Sequence, residues 1–265
     1  MKYTLGFIGC GNMGGALVQA AAKTVDGSQI AVCDFDKAKV EKFEKTLGAV
    51  GTTARDIAEN AAFVVLAVKP QVMESAIAEF ADALRARKDV VVVTMAAGLS
   101  IGAIRKFIGA DLPVIRIMPN TPVTLGAGMI LYTVADVCEA AEKEFLTVFA
   151  KAGVFDKIPE DKIDAGSALS GCGPAFVYAF AEALADGGVQ CGVPPEKAAL
   201  YTAQTLLGAA QMLLEFGNPS ALIDAVCSPG GTTIAGIRAL ENAGFKEVSS
   251  LAVTTAYQRT LELKK

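Results

Sequence analysis

Two glycine-rich segments of this chain carry residue types and spacings suited to chemistry, and they lie far apart in the sequence. Near the start, Ile8-Gly9-Cys10-Gly11-Asn12-Met13-Gly14 fits the pattern G-x-G-x-x-G. Gly9 permits a tight turn, Gly11 lets a pyrophosphate approach the backbone, and Gly14 lets the following helix pack closely. Free N–H groups at that helix start then attract phosphate charge. About twenty residues further on, Asp34 stands where an acid receives the ribose hydroxyls of an adenosine. An acid there repels a 2′-phosphate, so Asp34 tilts the reading weakly to NADH. Lys37 and Lys39 lie close enough in sequence to neutralise such a phosphate, and Asp36 is suited to cap the next helix, so NADPH and NADH both stay open. Ala67-Val68-Lys69-Pro70 closes a later apolar run, with Lys69 either facing the cofactor or simply solvated. Thr94-Met95-Ala96-Ala97-Gly98 closes the next run with small residues, Ala96 and Ala97 among them, which suits close approach of a nicotinamide.

The second segment, Ser228-Pro229-Gly230-Gly231-Thr232-Thr233, runs into an apolar helical stretch. Exposed amides at a helix start, with two hydroxyls beside them, form a cradle for a small carboxylate that needs no arginine. The plainer alternative is a Pro-Gly-Gly turn with a threonine N-cap. A related turn-rich stretch is Ser170-Gly171-Cys172-Gly173-Pro174-Ala175-Phe176.

Composition narrows the chemistry. Across 265 residues there is no histidine and no tryptophan. That excludes Ser-His-Asp and Cys-His nucleophile systems, histidine-ligated zinc, and dehydrogenases that polarise a carbonyl with an imidazolium. Cys10, Cys33, Cys138, Cys172, Cys191 and Cys227 are scattered without a CxxC pair, so we expect no metal centre and read them as small buried apolar residues in a reducing cytoplasm. The net charge is −4, with no basic run able to track phosphates, so nucleic acid is not an expected partner. Leu5 to Ile8 and the three alanines at 20–22 imitate a secretion signal, but glycines and Asn12 interrupt them and the dinucleotide turn accounts for them better. No stretch offers about 18 consecutive apolar residues, so no membrane span is expected. Hydrophobic residues make up 52% of the chain and mean hydropathy is +0.43, which favours burial of surface between subunits.

Elements able to position these segments follow from periodicity. β-rich runs at 4–8, 29–33, 63–68, 90–94, 114–118 and 154–156 alternate with helical stretches at 14–24, 37–47, 72–84 and 101–108, the pattern of βαβ units on a parallel sheet. Val90-Val91-Val92-Val93 is apolar at every position, as in a strand covered on both faces. After about residue 160 the strands stop. Ala/Leu-rich stretches at 162–170, 175–190, 195–215 and 244–263 read as helices, with Pro194-Pro195 as a start and Gly217-Asn218-Pro219 as a stop. The expected fold class is α/β, an N-terminal Rossmann-type parallel-sheet domain over 1–160 followed by an all-α dimerisation domain over 161–265.

Six motifs taken in order give a resemblance that runs through the chain. Gly9 to Gly14, Ala67 to Pro70, Arg116-Ile117-Met118-Pro119-Asn120-Thr121-Pro122, Ser170 to Ala175, Ala183-Leu184-Ala185-Asp186-Gly187-Gly188 and Ser228 to Thr233 resemble the successive motifs of pyrroline-5-carboxylate reductases. The resemblance implies NAD(P)H-dependent reduction of L-1-pyrroline-5-carboxylate to L-proline, the last step of proline biosynthesis, by a homodimer that often joins a ring of dimers. It assigns Ile8 to Met13 and Ala67 to Pro70 to the cofactor. It assigns Gly230, Gly231, Thr232 and Thr233 to the substrate, with Thr233 near the ring nitrogen as the catalytic candidate and Ser228 opening the loop. The chain departs from the family pattern at Cys172, where a second serine is usual, and at Asp34, which is not typical of members favouring NADPH. Two other readings keep the nucleotide motif. A β-hydroxyacid dehydrogenase would want a lysine in the glycine-rich helical segment, and 170–185 has none. A non-catalytic NAD(P)H-binding regulator has no use for the Pro229-Gly230-Gly231 loop.

Overall fold

The computed structural model describes residues 1–263. These form two compact units, one of Met1–Cys172 joined by the segment from Tyr257 onward, the other of Gly173–Ala256.

The first unit alternates strands and helices. Its elements are β1 Tyr3–Ile8, α1 Asn12–Ala21, β2 Ile30–Cys33, α2 Lys37–Leu47, β3 Val50–Gly51, α3 Ala54–Asn60, β4 Ala61–Leu66, α4 Met73–Ala78 and α5 Ala81–Arg85. There follow β5 Val91–Thr94, α6 Ile101–Ile108, β6 Val114–Met118, β7 Gly128–Ala135, α7 Glu139–Val148, β8 Gly153–Lys157 and α8 Glu160–Ser170. One sheet takes the order β3-β2-β1-β4-β5-β6-β7-β8. Its pairs are parallel except β6 with β7. The valine run 90–93 shows why every position is apolar: Val91 and Val93 join the core on one face, Val90 and Val92 the core on the other. Helices α1, α2 and α7 cover the first face through Leu17, Phe43 and Phe145. Ile57, Ile77 and Ile104 of α3, α4 and α6 cover the second.

The sequence reading missed β3, α3, β7 and α7, and it joined α4 to α5. β3 is two residues long and exists only through pairing with β2. β7 is a β-rich run whose reversed direction comes from a 3-10 turn at Thr121–Leu125, capped by Gly126 in the left-handed region. That single antiparallel pair makes the sheet mostly rather than wholly parallel. α4 and α5 part at Glu79–Phe80, where Phe80 leaves helical geometry with φ −139° and inserts into the core.

The second unit is helical: α9 Gly173–Gln190, α10 Pro195–Phe216, α11 Pro219–Val226, α12 Thr232–Asn242 and α13 Phe245–Glu262, which runs on past Ala256. Gly217-Asn218-Pro219 does end α10, and it also begins α11, a helix the sequence reading did not place. Pro219 takes the first helical position, and Asn218 Oδ1 accepts the amides of Ser220 and Ala221. Only Ala198 is buried across these five helices. Tyr178, Leu200, Leu207, Leu214 and Phe216 are exposed, and an apolar groove of about 730 Å³ runs between Phe180, Met212, Leu213, Leu222, Ile223 and Phe245. Among the described residues, one helical run, Glu160–Gln190, is long and apolar enough to cross a membrane by length and composition. Its first half, α8, instead lays Ile163, Asp164 and Ala168 in the interior.

Candidate active site

The chain leaves β1, moves outward through β2 to β3, then returns to pair β4 on the other side of β1. This is the switch point at which open α/β sheets bind ligands outside the carboxyl ends of their strands. Gly9, Asp34, Ala67–Pro70 and Met95–Gly98 follow directly on β1, β2, β4 and β5, so the sheet brings the whole predicted cofactor set to one edge.

Sterics explain the glycines there. Gly9 has φ +101°, and a Cβ on it would lie 2.7 Å from the carbonyl oxygen of Ala67. Its amide donates to Cys33 O at 2.8 Å, while the amide of Ala67 donates to Ile8 O at 2.8 Å, so the turn is stitched to both neighbouring strands. A Cβ on Gly14 would lie 2.4 Å from Gly9 O. At Gly11 a Cβ would meet nothing within 4 Å, leaving open space beside the start of α1. α1 has no side-chain cap, whereas α2, α3 and α6 are capped by Asp36, Thr53 and Ser100. Uncapped amides facing open space are the donor set that a pyrophosphate requires. A nicotinamide dinucleotide therefore fits these residues.

Asp34 is nearly buried and doubly bonded. Its Oδ2 accepts the amide of Cys10 at 2.6 Å and its Oδ1 accepts the amide of Asp36 at 2.9 Å. Lys39 Nζ sits 3.8 Å from Asp34 and 3.6 Å from Asp36, so this lysine is already shared by two carboxylates. Asp36 does cap α2, accepting the amide of Ala38. Beside Asp34, an apolar recess of about 260 Å³ is lined by Ile8, Phe35, Val68, Val72 and Phe80 among others, and suits a flat heteroaromatic ring. Phe35, 97% exposed, is the site residue that the sequence reading did not single out. Its exposure follows only from the end of β2 in the folded sheet, so no local sequence signal marks it. A second recess, about 300 Å³, opens on Cys10, Gly11, Asn12, Gln19, Lys39 and Lys42.

Several predicted contact residues offer backbone rather than side chain. Cys10 is 4% exposed, and burial, with Asp34 nearby, pushes its thiol up to about 12, so it is held neutral and unreactive. Ala96 is buried in the core below the edge, while Ala97 is exposed and Gly98 turns the chain with φ +78°. Asn12 and Lys69 are exposed, and Met13 and Pro70 are half-buried.

In the second unit, Ser228 to Gly231 form a tight turn. Pro229 presets the first corner, Gly230 takes φ +72° at the second, and the amide of Gly231 donates to Ser228 O at 3.0 Å, the arrangement of a type II turn. A Cβ on Gly231 would lie 2.4 Å from Ser228 Oγ. α12 starts on Gly231 without a side-chain cap, so Thr232 is not spent on capping, and both Thr232 and Thr233 are exposed. The turn thus offers amides and hydroxyls together, a donor set matched to a carboxylate and one further acceptor.

Residues 160–263 match the family described as pyrroline-5-carboxylate reductase dimerisation, and residues 4–98 match the family described as NADP oxidoreductase, coenzyme F420-dependent. The pyrroline-5-carboxylate reductase of Escherichia coli strain K12 is 37% identical over 270 residues, covering 100% of both chains. The chain belongs to the pyrroline-5-carboxylate reductase family. Pyrroline-5-carboxylate reductase 3 of Danio rerio is 38% identical, covering 98% of this chain and 91% of its own. Solved structures agree over the full length. The pyrroline-5-carboxylate reductase of Coxiella burnetii matches with TM-score 0.90 at 34% identity, and a Plasmodium falciparum pyrroline carboxylate reductase with NADP bound matches with TM-score 0.89 at 29% identity. Each match covers 100% of both chains. For a pyrroline-5-carboxylate reductase, a helical unit with a single buried side chain has a direct explanation, because the matched segment is a dimerisation region.

Proposed function

We propose a division of labour in which the strand edge of the first unit holds the nicotinamide cofactor, NADH in preference to NADPH, and the Ser228–Thr233 turn holds the substrate. The chain is an NAD(P)H-dependent oxidoreductase that reduces L-1-pyrroline-5-carboxylate to L-proline. The uncapped start of α1 behind Gly9, Gly11 and Gly14 carries the cofactor half of the reading. Asp34 and Asp36 support the preference for NADH: two carboxylates at the end of β2 would repel a 2′-phosphate, and Lys39 is already engaged by both.

The cofactor supplies the hydride that the C=N carbon accepts. The chain's own task is to orient the ring and relieve charge on nitrogen. Amides of Gly230 and Thr232 bind the carboxylate, the Gly231 amide being held by Ser228 O within the turn, and the Thr233 hydroxyl donates to the ring nitrogen, so that negative charge is not left there. As hydride reaches carbon, the nitrogen, more basic than a carbonyl oxygen, takes its one proton from water or through the Thr233 hydroxyl, which water then reprotonates, so the reaction needs no imidazolium in a chain without histidine. The helical unit forms the homodimer, and we extend this to a ring of dimers on the breadth of its exposed apolar surface. Only Cys10 is buried as expected, while Cys138, Cys172 and Cys191 are exposed, the last of them on the helical unit that leaves most of its side chains uncovered; all six are free thiols, which supports a cytoplasmic location.

Nicotinamide absorbance tests both halves. With pyrroline-5-carboxylate present, NADH is expected to be oxidised with kcat/KM about tenfold above that for NADPH, and an equal or reversed ratio refutes the role given to Asp34. Thr233→Ala is expected to lower kcat/KM by about a hundredfold while the cofactor dissociation constant stays within about twofold. Normal turnover in that variant removes Thr233 from the chemistry.

A further inference from the structure

A buried chain of charges in the first unit ends on the turn assigned to the nicotinamide. Arg116 of β6 is 1% exposed, and its Nη2 bonds Asp164 Oδ1 of α8 at 2.6 Å. Its Nη1 lies 3.5 Å from Glu160 Oε1, and that same oxygen accepts the amide of Ile101 at 2.7 Å. Ile101 is the first residue of α6, whose own cap, Ser100, already serves the amide of Ala103. The first turn of α6 is therefore capped twice, once locally and once by a residue 59 positions away.

Between β5 and α6 lies the turn Met95–Ser100. It has few bonds of its own: Ala96 N–H to Thr94 Oγ1 at 3.4 Å and Leu99 N–H to Ala96 O at 3.3 Å, both long. In the β5–β6 register Arg116 stands opposite Thr94, the last strand residue before this turn. One end of the turn is thus fixed by the strand, and the other by Glu160, which Arg116 and Asp164 in turn hold.

We propose that Glu160 and Arg116 are positioning residues for hydride transfer: the Asp164–Arg116–Glu160 chain fixes the Met95–Ser100 turn, and with it the surface that Ala97 offers to the nicotinamide. This rests on the assignment of Ala96 and Ala97 to the cofactor. Arg116 is too deeply buried to touch a ligand, so it acts through Glu160. A guanidinium suits the task because two of its nitrogens reach two carboxylates at once, which a lysine ammonium does with far less geometric control.

Glu160 is partly exposed at the surface, so replacing it leaves the core intact. The test compares full-length Glu160→Ala and Glu160→Gln with the unaltered chain. In cofactor-free protein, amide hydrogen exchange at Ile101 is expected to accelerate about tenfold in Glu160→Ala and to stay near normal in Glu160→Gln, whose amide oxygen still accepts. Turnover of pyrroline-5-carboxylate by the loaded enzyme is expected to show kcat down about tenfold in Glu160→Ala, with the NADH dissociation constant within about twofold and recovery in Glu160→Gln. Faster exchange at Ile101 with unchanged kcat overturns the positioning role alone. Unchanged exchange in Glu160→Ala, or a Glu160→Gln enzyme as slow as Glu160→Ala, also overturns it. A wild-type chain that oxidises neither NADH nor NADPH overturns the cofactor assignment and this proposal together.

Discussion

The two units solve the problem of burying apolar surface differently. In the first, the valine run at β5 shares its side chains between two cores, and Phe145 is fully buried with its ring 5.8 Å from Phe63 and 5.0 Å from Phe149. In the second, the ring pair Phe180 and Phe245, 5.3 Å apart, sits at the rim of an open apolar groove, and Tyr178, Leu200 and Leu214 face outward. An open sheet covered on both faces completes its core within one chain. A layer of helices apolar on more than one side does not, and its missing contacts come from a second copy. Stability in the first unit is therefore a property of the single chain, whereas in the second it depends on protein concentration.

The substitution that breaks this contrast most severely is Leu213→Glu, which places a charge in the apolar groove. It is expected to give monomers by light scattering at micromolar concentration and to abolish turnover, while far-ultraviolet dichroism retains the signature of the first unit. A dimeric, active Leu213→Glu enzyme would mean that the groove is not part of the association surface. Next in size, Phe145→Ala and Phe180→Ala make the same deletion in the two settings. Phe145→Ala is expected to cost about 3–5 kcal/mol in urea unfolding, independent of protein concentration. For Phe180→Ala the expected cost is smaller, and the midpoint shift should vary with concentration. Identical concentration dependence in both variants would erase the distinction between the units.

The smallest effect concerns the surface of the first unit. Lys157 donates to Glu142 at 2.8 Å and Tyr132 donates at 3.0 Å, holding the Glu142 carboxyl below its ordinary value of 4.5, with Lys157 the larger stabilising cause. Burial, then the bond to Glu142, pushes the Tyr132 phenol up to about 12. Because the folded-state value of Glu142 is depressed, the stabilisation is present above its ordinary value and is lost as the pH falls through the folded one. Glu142→Gln is expected to lower stability by less than about 1 kcal/mol at pH 7. Urea titrations of both proteins at descending pH should converge once the pH falls below the depressed folded-state value of Glu142, under its ordinary 4.5, and a gap that persists there contradicts the ion-pair account.

Much of the nucleotide edge was legible because its signals are local. Gly9, Gly11 and Gly14 announce a strand-to-helix turn through their spacing, and Asp34, Ala67–Pro70 and Ala96–Ala97 each stand at the end of a readable β-run. Phe35 was not legible as a site residue, because only the sheet shows that it projects into solvent beside the recess next to Asp34. The Ser228–Thr233 turn was legible for a similar reason to the nucleotide edge, since Pro229 and Gly230 set their own backbone angles.

By itself the sequence determined the Rossmann-type strand edge, the change to helices after residue 160, the dinucleotide turn and the Pro-Gly-Gly turn at 228–231, because periodicity and turn residues act over a few neighbours. Tertiary structure alone decided that β7 runs against β6, that Arg116 pairs with Asp164 across 48 residues, and that Glu160 caps a helix 59 residues away. Such partners are chosen by how the sheet brings distant segments together. No local pattern encodes that choice, since a buried arginine becomes stable only where the folded chain has already placed its carboxylates.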